Sequence, residues 1–263
     1  MRKGTQSIQR SVLLLKAVAE RRDIGWRLGD LAQYCGLEKT TAHRMLKCLV
    51  AERLLRQRSE DRRYIPGPLL FELATSLPAY MGFRDAVHAD LESIARRLNS
   101  IAFLHLRAGN EAVCIDRAGN ASVNPLTVIG TRRPLTLSTA GVAILLAMSR
   151  RERRDIMATI VVNANTDSLK RRVAVYRKIF RESEQLGYGI SLGDVVPGLG
   201  ALAVPLLNAA GQPFGAVSVM GPLAQYAEGR LEKLTTVLHR DAQRISQQRA
   251  KLISEMSPQL QAV

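Results

Sequence analysis

The 263-residue chain is poor in acid, in aromatics and in cysteine, and each shortage excludes something. No run of about 18 uncharged apolar residues occurs, roughly the least that spans a bilayer, so no membrane-crossing helix is expected. The basic start Met1-Arg2-Lys3-Gly4 is not followed directly by an apolar stretch with a cleavage site, and no signal peptide is expected. Cys35, Cys48 and Cys114 are odd in number and share no metal or redox spacing, so they read as buried, reduced thiols of a cytoplasmic protein. No nucleophile elbow, glycine-rich phosphate loop or metal-ligand spacing accompanies the Ser, His and Asp residues, which argues against an enzyme and implies no cofactor. His88 and His105 stand isolated, and a surface or internally satisfied role is expected for both. Aromatic residues form no cluster that would stack on unpaired bases, which weighs against an RNA or single-strand binder.

Positive charge, by contrast, is abundant. Lys and Arg number 38 against 23 Asp and Glu, a formal net of +15. With 46% hydrophobic residues the composition is globular, and the length suits two domains. A basic surface can be merely solvated, but this excess is uneven. Residues 1–70 hold 15 Lys and Arg against 7 Asp and Glu. Phosphate binding needs cations that displace condensed counterions, so the N-terminal concentration points to a polyanionic partner.

Three short helices can be read in that basic segment. Ile8, Val12, Leu15 and Val18 recur at helical spacing; Leu28, Leu31, Ala32 and Cys35 give a second stripe; Ala42, Met45, Leu46 and Leu49 give a third. The second helix is expected to stop at Gly36, and the corner Cys35-Gly36-Leu37 is tight enough for a helix-turn-helix. Opposite its apolar stripe the third helix carries Lys39, Thr40, His43, Arg44 and Lys47, side chains able to reach base edges or phosphates in a major groove. The stretch from Leu54 to Ile65 then reads as a hairpin with a charged tip. Arg58, Arg62 and Arg63 on it could contact phosphates or the minor groove, or pair with Glu60 and Asp61 in solvent.

On these residues the segment 5–75 resembles the DNA-binding domain of the IclR family of regulators. The matching stretches are Gln6-Ser7-Ile8-Gln9-Arg10-Ser11, Leu31-Ala32, Gly36 through Leu46, and Arg63 through Leu70. The resemblance implies a winged helix-turn-helix over 5–67, with DNA contacts from Lys39, Thr40, Thr41, His43, Arg44, Lys47, Arg58, Arg62 and Arg63. Two positions depart from the family pattern. Arg27 stands where a hydroxyl-bearing helix cap is usual, at a cost of up to about 1 kcal/mol, and Glu38 stands where proline often opens the third helix.

Beyond Pro66-Gly67-Pro68, a short stripe of Leu69, Leu70, Leu73 and Ala74 is interrupted at Pro78, and Val87, Leu91, Ile94, Ala95 and Leu98 follow on one helical face. Residues 68–84 are read as a helical linker. From residue 101 the pattern is mixed: a hairpin over 101–115, a helix after Ser138-Thr139, another over 168–186 ending at Gly187, strands over 201–206 and 214–219 around Asn208-Ala209-Ala210-Gly211, and a long polar helix over 228–254. The expected class is α+β, with residues 85–256 forming a sensor domain.

The family resemblance continues through Pro134–Gly141, Gly187-Tyr188-Gly189, Pro197–Pro205 and Ala216–Pro222. It implies that the second domain is GAF-like and binds a small effector, often a carboxylate or aromatic acid. Ser138, Thr139, Ala140 and Gly141 open a helix whose unpaired N–H groups favour an anion, although Ser138 also fits a plain hydroxyl cap. Ser218 could donate to the ligand or simply pack. Ser191 stands where many members carry an acid, Ala201 where many carry cysteine, and Met220 where some carry a small hydroxyl residue. These differences make the pocket less polar and favour a ligand with apolar or aromatic surface over a very small oxoacid. Together the readings imply a cytoplasmic transcriptional regulator, expected to act as a repressor, that binds a palindromic duplex operator as a homodimer or tetramer.

Overall fold

The computed structural model describes residues 5–119, 127–163 and 167–260. The basic start Met1–Gly4 lies outside them. The chain divides into two units, Met1–Met81 and Gly82–Val263, and the division falls inside the segment read as a linker.

In the first unit, α1 (Gln6–Glu20), α2 (Leu28–Tyr34) and α3 (Lys39–Ala51) precede the two-stranded hairpin β1 (Leu55–Gln57) and β2 (Tyr64–Pro66), and α4 (Leu69–Ala74) follows. Leu14, Val18, Trp26, Leu31, Leu46 and Leu55 form its core, with Trp26 Nε1 donating to the Ala17 carbonyl at 2.8 Å. The buried face of α1 is Leu14, Ala17 and Val18, not the expected Ile8–Val12–Leu15–Val18 stripe: Ile8 is 65% exposed and Val12 43%. The run Val12-Leu13-Leu14-Leu15 offers several stripes of similar apolarity, and packing against Trp26 and Leu31 selects the one through Leu14.

The helix-turn-helix corner has a definite cause. Gly36 takes φ +61°, its N–H donates to the Gln33 carbonyl at 3.1 Å, and the Leu37 N–H donates to Ala32 at 2.9 Å. This is a Schellman closure, which satisfies the last carbonyls of α2 and turns the chain into α3. Neither Arg27 nor Glu38, the residues preceding α2 and α3, makes a side-chain cap.

The helix α5 (Pro78–Leu98) runs across the division between the units. In the second unit a six-stranded antiparallel sheet has the order β5-β4-β3-β8-β7-β6, with β3 (Ile101–Ala108), β4 (Glu111–Ala118), β5 (Arg132–Pro134), β6 (Gly189–Leu192), β7 (Leu199–Leu207) and β8 (Pro213–Pro222). Strand alternation gives the sheet two faces. One presents Ala102, Leu104, Leu202, Val204, Val217 and Val219 to Val87, Leu91 and Ile94 of α5 and to Leu238 and Ile245 of α9 (Glu228–Leu260). The other bears Ala112, Ala203 and Ala216, packed on Ala140, Ala143 and Ile144 of α6 (Thr139–Leu146). Alanine on both partners lets α6 lie close to the sheet. Gly141 serves the same closeness, since a Cβ there would collide with the Leu135 carbonyl. Two further helices, α7 (Arg150–Asn163) and α8 (Asp167–Leu186), complete this side.

The cysteines depart in part from expectation. Cys114 is buried, but Cys35 is half-buried and Cys48 is exposed on α3. Burial and the Glu20 carboxylate push the Cys35 thiol up to about 11.

Candidate functional site

Each unit carries a surface suited to one class of partner. On α3 the buried residues are Ala42, Leu46 and Leu49. Lys39, Thr40, His43, Arg44 and Lys47 are all exposed, and Thr41 is half-buried at the margin. The helix therefore turns one apolar side inward and one cationic side outward.

The wing arginines differ among themselves. Arg58 holds Asp61 through two bonds, Nε–Oδ1 at 3.0 Å and Nη2–Oδ2 at 2.7 Å, and also donates to the Ile24 carbonyl at 2.9 Å. Arg63 pairs with Asp61 at 3.2 Å and donates to the Gly25 carbonyl at 3.2 Å. Both guanidinium groups thus fasten the wing to the 23–25 loop. The Arg58 hydrogen bonds hold the Asp61 carboxyl down at about 2. Arg62, at φ +60°, is exposed at the tip.

In the second unit a cavity of about 460 Å³ lies between the sheet and the α6–α8 side. Of the residues expected at an effector site, Ser138, Thr139, Ala140, Ser191, Ala201, Ser218 and Met220 line it. Gly141 does not; its N–H donates to Ser138 Oγ at 2.9 Å, so Ser138 acts as the α6 cap as well as a wall residue.

The cavity is also lined by residues that were not anticipated. His105 and Phe103 project from β3, Arg133 from β5, and Arg171, Arg172, Val175 and Tyr176 from α8. His105 Nε2 lies 3.0 Å from Ser218 Oγ, and the two residues are only 8% and 7% exposed. Burial, aided by the nearby Arg133 charge, pushes the imidazole down to about 4, so it is neutral at physiological pH. Asp194 is the one acidic residue among the described lining residues, and it is bound to Lys178 Nζ at 2.8 Å. A cationic flank, a neutral polar floor and apolar walls suit an organic anion.

Comparison with known proteins matches residues 7–59 to the IclR helix-turn-helix domain and residues 79–247 to the C-terminal domain of the bacterial transcriptional regulator IclR. The chain belongs to the IclR family of transcriptional regulators. It is 25% identical over 248 residues to the HTH-type transcriptional regulator KipR of Bacillus subtilis, covering 94% of this chain and 98% of that one. It is 22% identical over 244 residues to the transcriptional repressor IclR of Escherichia coli, covering 92% and 89%. Its fold is similar to that of an IclR-family regulator from Brucella abortus, with TM-score 0.71 at 22% identity over 94% of this chain and 93% of that one. It is also similar to an IclR homologue of Microbacterium hydrocarbonoxydans complexed with 4-hydroxybenzoate, with TM-score 0.67 at 20% identity over 94% and 99%.

As an IclR-family member the chain is a DNA-binding transcriptional regulator with an N-terminal helix-turn-helix and a C-terminal effector-binding α/β domain. No helix among the described residues is long and apolar enough to cross a membrane. The residues missed by sequence reasoning share a cause. His105 alternates with Ala102 and Leu104 on a strand whose cavity face is defined only once β8 and α8 are in place. Arg133 sits on a three-residue edge strand that has no periodic signature of its own.

Proposed function

We propose that residues 5–67 of this IclR-family regulator read a palindromic operator, that 68–84 connect, and that 85–256 bind an organic-acid effector which modulates the reading. The observation that carries the DNA assignment is the outward cationic side of α3, opposite buried Ala42, Leu46 and Leu49. Lys39, Thr40, Thr41, His43, Arg44 and Lys47 enter the major groove, where Arg44 can make two parallel bonds to guanine. Arg62 reaches phosphate or the minor groove from the wing, while Arg58 and Arg63 hold the wing in shape and reach phosphate with what remains exposed.

Ser138, Thr139, Ala140, Ser191, Ala201, Ser218 and Met220 form the effector wall, with Gly141 supporting it through the α6 cap. The cavity's volume and apolar lining favour an acid with substantial apolar or aromatic surface, and the 4-hydroxybenzoate complex of the Microbacterium relative supports the same class. The protein acts as a cytoplasmic homodimer or tetramer without catalytic activity. The exposed Ile8, Val12, Leu13, Phe71 and Leu73 of the first unit support self-association there. Effector binding shifts the population of assemblies that space the two reading helices correctly.

Selection of bound duplexes from a random pool, followed by titration of the selected sequence with and without acids, tests the reading. A palindromic consensus whose affinity changes with an acid supports it. Equal binding to all duplexes and to single strands would instead indicate a non-specific nucleic-acid binder.

A further inference from the structure

Charge in the second unit is as uneven as in the first. Together α7 and α8 hold ten Lys and Arg against five Asp and Glu, whereas the rest of residues 71–263 hold thirteen against eleven. Arg171 and Arg172 of this set line the large cavity. Arg150 and Arg154 on α7 and Arg177 and Arg181 on α8 do not, and all four are exposed. The two helices lie side by side: Arg153 Nη2 is 3.3 Å from a Glu184 carboxylate oxygen, and its guanidinium stands 5.7 Å from the Phe180 ring centre. Met157 and Arg177 also border one small cavity between them. Arg150 and Arg154 are one turn apart beside Arg153, and Arg177 and Arg181 are one turn apart beside Phe180, so helical geometry gathers the four along one seam.

No acid among the described residues neutralises this seam. Glu152 pairs with Arg107, Glu182 with Lys178 and Glu184 with Arg153. Asp155, exposed on α7, makes no ion pair among the described residues, and neither does any of the four arginines. Their placement works against the fold. Arg150–Arg154 and Arg177–Arg181 are like-charge pairs that repel on a helix, and Arg150 sits in the first turn of α7, where the helix dipole disfavours a cation. Charge held at such positions, without a partner inside the chain, calls for an anion outside it. No large apolar side chain is exposed between Arg150 and Ala158 or between Lys170 and Arg181. A protein partner ordinarily needs such an anchor, whereas the phosphates of duplex DNA need only well-placed cations. DNA is also the polyanion that this IclR-family regulator binds, and once the first unit holds a duplex the second meets it at high effective concentration.

We propose that the arginine seam of α7 and α8 is a second duplex contact, which grips backbone phosphates beyond the bases read by the first unit and adds affinity without sequence preference. The inference rests on DNA binding through the first unit, and its test separates the two.

The test compares the selected duplex alone with the same duplex carrying random flanks of about 30 base pairs on each side, bound by the full chain at 50–200 mM salt. The unmodified protein should bind the flanked duplex more tightly. Arg150→Gln, Arg154→Gln, Arg177→Gln and Arg181→Gln combined should remove that advantage. They should also shrink the fall in affinity across this salt range by about tenfold, the share of roughly two phosphate contacts. Preference for the selected over a random duplex of equal length should not change, because phosphate contacts carry no sequence information. Lysine at the same four positions should keep the flank advantage. A charge-matched set elsewhere, Arg96→Gln, Arg230→Gln, Lys233→Gln and Arg240→Gln, should keep it too. Without DNA, the four-glutamine seam variant should melt no lower than the unmodified protein.

Equal affinity of the unmodified protein for bare and flanked duplexes, with the selected sequence still preferred, overturns the second contact and leaves the α3 reading intact. The same loss in the charge-matched set would assign the effect to net charge, and a lower melting temperature of the seam variant would assign the arginines to the fold; either overturns the proposal. So does polyglutamate binding that the seam variant abolishes while duplex binding is unmoved, which gives the seam to an acidic protein. No duplex binding by the unmodified protein removes both readings.

Discussion

Arg44 and Leu46 are two residues apart on α3, yet one is exposed and the other fully buried. That separation makes Arg44 a sharp test of base reading. Arg44→Ala should cost about 1–3 kcal/mol in discrimination between the selected and a random duplex, measured by competitive anisotropy. Equal weakening on both would assign Arg44 to phosphate. His105 gives a prediction independent of DNA. The unfolded chain protonates it near 6.5, whereas the folded chain resists protonation down to about 4. The unfolded state therefore binds more protons across that window, and stability falls as pH drops from 6.5 towards 4, by about 3 kcal/mol at most. Urea unfolding at pH 7 and pH 4.5 should show this loss in the unmodified protein and a smaller one in His105→Gln. His105 itself was visible in the sequence only as an isolated histidine. Its role depends on Ser218, 113 residues away, and no local pattern announces such a pairing.

Among the elements, those with strong periodicity or a distinctive corner were legible. The α3 stripe of Ala42, Met45, Leu46 and Leu49 and the stop at Gly36 were both readable, because a left-handed glycine after an amphipathic run has few other uses. The face of α1 was misread because its contiguous leucines leave the choice to tertiary packing. The strands β5 and β6 are three and four residues long, too short for alternation to register. The helix α7 opens with Arg150-Arg151-Glu152-Arg153-Arg154-Asp155, which hides its buried Ile156. The unused cap position of α2 predicts that Arg27→Ser stabilises the first unit by about 0.5–1 kcal/mol in thermal or urea unfolding. Gly36→Ala should destabilise it by about 1 kcal/mol, because alanine at φ +61° is strained. In the wing, the Asp61 carboxyl is depressed from 3.8 to about 2. Its tethering of Arg58 and Arg63 is thus complete at neutral pH and is lost as pH falls from about 3.8 towards 2. Asp61→Asn should loosen the wing at neutral pH, seen as faster exchange of the Arg58 and Arg63 amides, with weaker duplex binding.

At the scale of the whole molecule, the proposed reading has the N-terminal concentration of charge and the cationic flank of the second unit's cavity address two different anions. On that reading the first unit faces a polymer whose affinity depends on counterion release, and the cavity an isolated small acid. The division of labour was legible from charge distribution and from the family resemblance, but the cavity's arginines were not, since they come from β5 and α8, elements with no sequence relation to each other. The most direct measurement is the affinity of the full chain for its selected duplex, a random duplex and a single strand across 50–200 mM salt. If about six or more phosphates are neutralised by the assembled protein, affinity for the duplexes falls by about a thousandfold or more over that range, with the selected duplex preferred throughout. A flat salt response, or no preference for the selected duplex at any salt, would contradict the reading of α3 as the DNA-recognition helix.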